Sequence, residues 1–214
     1  MIISGLCKPL SMIISYIYVP IVLNFLGVEK YGIWTTILTI LSWISYFDIG
    51  IGNGLRNKLT VAISKNDKDG CKTLVSSAYA FIATIITAVI VAFGIAANFI
   101  NWHRIFGVTD INENLNAIIT LAVTFVGLNF ILSLCKNVLY AYQKAAYVSL
   151  MELMTQIINL LGALVLSKIT AANLFGMTAV YGLSMLFVNI IASIVLYHKY
   201  PDTTPSRKSI NLSA

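Results

Sequence analysis

Long apolar segments alternate with short polar connections along most of this chain. Uninterrupted apolar runs of at least about 18 residues indicate helices that cross a bilayer. Six such runs are present, at residues 3–26, 31–50, 76–100, 115–140, 147–167 and 174–197. We therefore predict an all-α integral membrane protein, with a six-helix transmembrane lobe over residues 1–200 and a cytoplasmic tail over residues 201–214.

The charged residues predict the orientation of these helices. Of the 14 lysines and arginines, only Lys30, Arg104 and Lys168 fall on one side of the predicted membrane. Since cytoplasmic loops carry the excess of basic residues, both termini are expected in the cytoplasm. Anionic lipid headgroups beside these loops account for the net charge of +6, so membrane lipid is the expected partner and nucleic acid is not.

Composition and motifs argue against a soluble enzyme. The chain is 58% hydrophobic and only 10% charged, which is typical of an integral membrane protein. It has no phosphate-binding loop, no His-Glu-x-x-His zinc motif and no nucleophile elbow. Its two histidines, His103 and His198, fall on opposite faces of the predicted membrane. We predict no enzymatic activity, no cofactor and no metal site.

Residues 47–59 combine an acid, three glycines and two basic residues. Asp48 follows an apolar segment, and a charge at membrane depth needs a partner or a water-filled cavity. The glycines at 50, 52 and 54 either let a neighbouring helix approach closely or let the helix break before a basic loop with Arg56 and Lys58. A dinucleotide-binding site is excluded, because no strand precedes the glycines.

The fourth and fifth predicted helices each carry a polar stripe at helical spacing. In lipid such a stripe must face protein or water. Hydrogen bonds between helices, worth about 0.6 kcal/mol each on average, are one explanation, and a hydrated cavity is the other. The short turn 141–145 predicts contact between Lys136 and Glu152 at similar depth. Candidate residues for a substrate path are Asp48, Arg56, Lys58, Asn129, Lys136, Glu152, Gln156 and Asn159.

Two motif blocks, Leu26–Trp34 and Trp43–Lys58, resemble the first two helices of polysaccharide transporters that include Wzx-type O-antigen flippases. Residues 200–206 resemble the segment after the sixth helix of that family, and the likeness covers most of residues 1–205. The residues that carry the family motif are Gly27, Tyr31, Gly32, Trp34, Asp48, Gly50, Gly52, Asn53, Gly54, Arg56 and Asn57.

This resemblance implies the fold of the multidrug/oligosaccharidyl-lipid/polysaccharide exporters, which have twelve to fourteen helices in two lobes around a central cavity. It also implies transfer of undecaprenyl-diphosphate-linked oligosaccharide, such as an O-antigen repeat unit of lipopolysaccharide, across the bacterial inner membrane. The present chain corresponds to the N-terminal lobe only. We therefore expect it to work with a missing C-terminal lobe or a second copy, in the company of glycan polymerase or assembly proteins.

Two other functions fit the same sequence. One is an exporter of drugs or small solutes on this fold, and the other is a non-transporting fragment or scaffold of glycan assembly. Complementation of a flippase-null strain and a drug-resistance assay would distinguish them.

Overall fold

The computed structural model describes residues 2–46, 48–108 and 113–211, without the side chains of residues 2–4, 43–46, 48, 49 and 51. These ranges contain helices and no strand. The α-helices are α1 (Ile2–Leu26), α2 (Val28–Tyr46), α3 (Asp48–Ser64), α4 (Lys68–Ala96), α5 (Trp102–Phe106), α6 (Leu115–Ala141), α7 (Ala145–Ile169) and α8 (Leu174–Lys199).

Five of the described helices, α1, α4, α6, α7 and α8, are long and apolar enough to cross a membrane. They confirm the all-α membrane class. The second predicted span, residues 31–50, corresponds to α2 and the start of α3, and neither is among these five. A total of six crossings therefore stays a prediction.

The predicted basic loop after residue 54 is wrong, because α3 is helical through Ser64. Leu55 and Leu59 are buried in this helix, which packs against α4 and α6. Both Gly50 and Gly54 are exposed inside α3, and a Cβ added at either would meet no atom within 4 Å. These two glycines therefore neither interrupt the helix nor admit a closely packed neighbour. The next helix begins at Lys68 and not at the predicted Ser76.

Two clusters of buried apolar residues hold the bundle together around α6. One joins α1, α2, α6 and α8 around Trp34, which is 1% exposed and meets the ring of Tyr181 edge-on at 5.5 Å. The other joins α3, α4, α6, α7 and α8 near the turn between α6 and α7. We call this second region the basic end, because the connection 65–67, the α6–α7 turn and the end of α8 bring Lys65, Lys144 and Lys199 there.

Towards the basic end α1 packs along α7 and leaves much of its own surface exposed. A small cluster of Cys7, Ile14 and Leu153 joins it to α7. Only 17% of the apolar stretch of α1 is buried, and Tyr16 is 81% exposed. One flank of α1 therefore faces α7 while the rest is open.

The opposite end is closed by polar contacts. The Nζ of Lys30, at the start of α2, pairs with the Glu113 carboxylate and donates to the Ala172 carbonyl at 2.8 Å. The other carboxylate oxygen of Glu113 accepts from the Leu174 N–H at 2.9 Å, at the first turn of α8. This arrangement, the Glu113 clamp, ties α2, the connection that precedes α6 and the α7–α8 connection together.

The segment after α8 folds back onto the bundle instead of forming a detached tail. The backbone N–H groups of Ser206 and Asn211 donate to the hydroxyls of Ser76 and Ser77, each at 2.9 Å. The ring of Tyr200 stacks on Tyr142 at 4.0 Å. Residues 201–211 thus cover α4 at the basic end.

Candidate functional site: a polar groove between α1 and α7

A groove with several polar side chains among its lining residues runs between α1 and α7 from the basic end towards mid-membrane. We call it the α1–α7 groove. Its volume is about 430 Å³. Its polar lining consists of Lys8, Ser11, Ser15, Tyr16, Ser149, Glu152 and Gln156. Hydroxyl, amide and charged groups at this depth are costly in hydrocarbon, so the groove must hold water, solute or another protein surface.

An ion pair borders the groove on its α6 side. The Nζ of Lys136 lies 4.0 Å from Oε1 of Glu152, which confirms the predicted contact between these two residues. The Glu152 side chain is 57% exposed and that of Lys136 is 28% exposed. The carboxylate therefore has room for a second partner in the groove.

A second cation stands one helical turn further along α6. The guanidinium of Arg56 on α3 lies 5.1 Å from the centre of the Tyr140 ring. Since Tyr140 follows Lys136 by four residues, both contacts lie on one face of α6. The cation–π contact fixes the direction of Arg56 without neutralising its charge. We call Arg56, Lys136, Tyr140 and Glu152 the charged cluster.

Deeper along α7, the side chains of Gln156 and Asn159 follow one another, and the buried Oε1 of Gln156 has no hydrogen-bond partner among the described residues. The Asn159 side chain interacts with the Tyr18 hydroxyl on α1. Buried polar atoms are nearly always satisfied by protein or by ordered water. The Gln156 oxygen therefore marks a place where water or a polar ligand group fits, and Gln156 and Asn159 extend the polar line of the α1–α7 groove into the bundle.

Two of the three remaining predicted path residues, Asn129 and Lys58, lie away from the groove. Asn129 accepts a 2.6 Å hydrogen bond from Nδ2 of Asn189 on α8, which is the interhelical contact that the sequence left as an alternative. Lys58 is exposed on α3 and has no carboxylate within ion-pair distance among the described residues. Asp48 begins α3, but its side chain lies outside the described part of the chain. Of the eight candidates, five line the groove, its extension or the charged cluster: Arg56, Lys136, Glu152, Gln156 and Asn159.

Sequence reasoning missed the contribution of α1. Lys8, Ser11 and Ser15 follow one another by three and four residues, which puts them on one helical face. This signal is visible in the sequence, but serines in a membrane helix are usually explained by hydrogen bonds to their own backbone. Only the packing of α1 beside α7 shows that the face lines the groove.

The family-motif residues at the opposite end have a structural role. Gly27, between α1 and α2, has φ +78°, a conformation that side chains other than glycine strongly disfavour. Its N–H donates to the Leu23 carbonyl at 2.9 Å. Trp34 fills the core that joins α1, α2, α6 and α8. These two residues set the angle between the first two helices, and α1 in turn forms one wall of the groove.

Comparison with known proteins supplies the family. The sequence profile of the polysaccharide biosynthesis protein family matches residues 1–213. The chain belongs to this family. Searches of curated proteins and of solved structures each gave no significant match.

Membership of the polysaccharide biosynthesis protein family confirms the resemblance drawn from the two motif blocks. Members of this family are typically transporters and not enzymes. Together with the long apolar helices, the match identifies a multi-pass membrane protein with a transporter or flippase type of role in polysaccharide biosynthesis.

Proposed function

We propose that this chain is the N-terminal lobe of a flippase that moves undecaprenyl-diphosphate-linked oligosaccharide across the bacterial inner membrane, with the basic end in the cytoplasm. The observation that carries the proposal is the α1–α7 groove, an open groove with charged, hydroxyl and amide side chains in its lining, beside a helix that is largely exposed. A lipid-linked glycan has a tail that prefers hydrocarbon and a head that cannot cross it unaided. A flippase for it needs a polar path that is open sideways to lipid.

The charges of the path suit a diphosphate. Lys8, Arg56 and Lys136 are the cations of the groove and the charged cluster, and Glu152 is the only described acid there. Cations that keep hydrogen-bond donors available bind phosphate oxygens strongly. We infer that the diphosphate meets Arg56 and Lys136 first and weakens the Lys136–Glu152 pair as it enters.

The neutral polar groups of the groove suit the glycan. Ser11, Ser15 and Ser149 offer hydroxyls, and Gln156 offers a buried amide oxygen with no partner among the described residues. Such groups form hydrogen bonds with sugar hydroxyls in either direction, donor or acceptor. The isoprenoid tail stays in lipid, because the outer flank of α1 is not covered by this lobe.

Complementation of a flippase-null strain with the complete transporter tests the proposal. Neutralising the groove acid, Glu152→Gln, is expected to reduce surface glycan strongly at unchanged protein level, since removing a charge does not hinder membrane insertion. The matched control is Asp202→Asn, which neutralises an exposed acid at the same end that pairs with Lys68 outside the groove. Normal surface glycan in the Glu152→Gln strain would contradict a role of the groove in transport.

Asp48 is a second acid for the same assay. We propose that its carboxylate also lines the path, because a charge at membrane depth needs a partner or a water-filled cavity. Asp48→Asn is expected to lower surface glycan in the same way. Normal glycan in both the Asp48 and the Glu152 variants would reduce the two acids to structural roles.

A further inference from the structure

A second groove lies between α7 and α8 at the basic end. We call it the α7–α8 groove, with a volume of about 480 Å³. Its walls are almost wholly apolar and include Leu150, Met154, Phe187, Ile191 and Val195, all of which are at least 40% exposed. On α7 the groove runs from Tyr147 to Ile158, which is about 16 Å of helix at 1.5 Å per residue. This is an open, elongated slot of the kind that a lipid chain fills.

The end of this slot at the basic end is cationic. Lys144 from the α6–α7 turn and Lys199 from the last turn of α8 line it, together with Tyr147 and Tyr200. The Nζ of Lys199 lies 6.0 Å from the centre of the Tyr147 ring and 5.9 Å from that of Tyr200. Neither lysine has a carboxylate within ion-pair distance in the part of the chain that the structure describes. Two positive charges are therefore available at one end of an apolar slot.

The α7–α8 groove is separate from the proposed substrate path. Met154 in this groove follows Glu152 by two residues, so the two side chains point to nearly opposite sides of α7. A lipid-linked glycan bound here would hold its sugars on the side of α7 that lacks the serines and Gln156. The groove suits a lipid with a small anionic headgroup and no large polar extension.

We propose that the α7–α8 groove is a binding site for an anionic phospholipid, such as phosphatidylglycerol. One acyl chain lies between α7 and α8, and the phosphate sits between Lys144 and Lys199. Basic residues at the ends of neighbouring transmembrane helices bind anionic headgroups, with roughly a five-fold gain in affinity for each lysine. The slot lies between α7 and α8. A lipid bound there would therefore add contacts to α7, the helix that carries Glu152 on its other side.

Native mass spectrometry of the purified protein, with phosphatidylglycerol and phosphatidylcholine added in turn, measures this preference. We expect the wild-type chain to retain phosphatidylglycerol over phosphatidylcholine. In the double variant Lys144→Gln/Lys199→Gln this preference is expected to fall about 25-fold, which is about five-fold for each lysine removed. The matched control Lys65→Gln/Lys72→Gln removes two basic residues from the same end outside the groove and is expected to keep it.

A groove-filling variant tests the acyl-chain half of the site. Ala192→Phe adds a ring to the apolar wall and leaves both lysines in place, so bound phosphatidylglycerol is expected to fall while the control keeps it. Equal phosphatidylglycerol binding by wild type, the lysine pair variant and Ala192→Phe would overturn the proposal. Undecaprenyl phosphate displacing phosphatidylglycerol from the wild type at equal concentration would also overturn it, since the groove would then hold the carrier lipid.

Discussion

Lys136 on α6 and Glu152 on α7 approach to 4.0 Å across the turn 142–144, at the border of the α1–α7 groove. The pair joins two helices that are consecutive in the chain. The Glu152 side chain is more than half exposed, so the pair is accessible to solvent. A charged ligand that enters the groove can therefore reach the Glu152 carboxylate.

A double-mutant cycle with Lys136→Met and Glu152→Gln measures the strength of the pair. We expect a favourable coupling of about 0.5 kcal/mol, because exposed ion pairs contribute little. Thermal unfolding in lipid nanodiscs gives the stability of the wild type, the two single variants and the double variant. A cycle on Lys68 and Asp202, whose charged atoms lie 3.2 Å apart and whose side chains are 72% and 44% exposed, is the comparison and should give a coupling of similar size. A coupling of zero at Lys136 and Glu152 would mean that the contact is not maintained.

This pair also shows what the sequence can predict. The two residues stand at equal distances from position 144, so a hairpin turn places them at the same depth. The all-α membrane class follows from apolar length in the same direct way. Both predictions rest on local pattern and the structure agrees with both, whereas the total of six crossings stays a prediction.

The helical structure of residues 48–64 could not be predicted from local spacing. The three glycines and two asparagines between residues 50 and 57 lower local helix preference, so the sequence favoured a loop there. Burial of Leu55 and Leu59 against α4 and α6 overrides that preference, and it depends on contacts with helices distant in sequence. The separation of Asn129 from the groove has the same origin, since its partner Asn189 is 60 residues away.

Replacing Gly27 by alanine tests the turn between α1 and α2. At φ +78° a Cβ is strained, so Gly27→Ala is expected to lower the free energy of unfolding by about 1 kcal/mol. Gly54→Ala is the control: it lies inside α3 with free space around it and should stabilise by about 0.5 kcal/mol. Effects of the same sign at the two sites would argue against the described turn.

Removing the Glu113 carboxylate tests the clamp at the opposite end. Glu113→Ala leaves Lys30 without its carboxylate and the Leu174 N–H without an acceptor, so a loss of about 1–3 kcal/mol in stability is expected. Asp202→Ala, which breaks an exposed pair, should cost less than about 1 kcal/mol. Chemical denaturation in mild detergent compares them. Equal losses of stability would show that the Glu113 clamp stabilises the fold no more than an exposed ion pair does.

The open flank of α1 predicts self-association of residues 1–214 when they are expressed alone. Lys8, Ser15 and Glu152 are unfavourable against hydrocarbon, and a second copy in a two-fold arrangement covers them. We expect a dimer in mild detergent and a cross-link through Ser15→Cys. Val91→Cys on α4, 56% exposed and outside the groove, is the control and should not cross-link. A stable monomer that restores surface glycan in a flippase-null strain would contradict this prediction.

The proposed transport path requires water in the α1–α7 groove at membrane depth, and thiol labelling in native membranes measures this most directly. Single cysteines are placed at Ser15 and Gln156 in the groove and at Met154 on the opposite face of α7, in a chain whose three native cysteines are replaced. Because only the hydrated thiolate reacts, Ser15→Cys and Gln156→Cys should label rapidly with a water-soluble maleimide, and Met154→Cys should stay unlabelled. Groove cysteines as unreactive as Met154→Cys would contradict the proposed polar path.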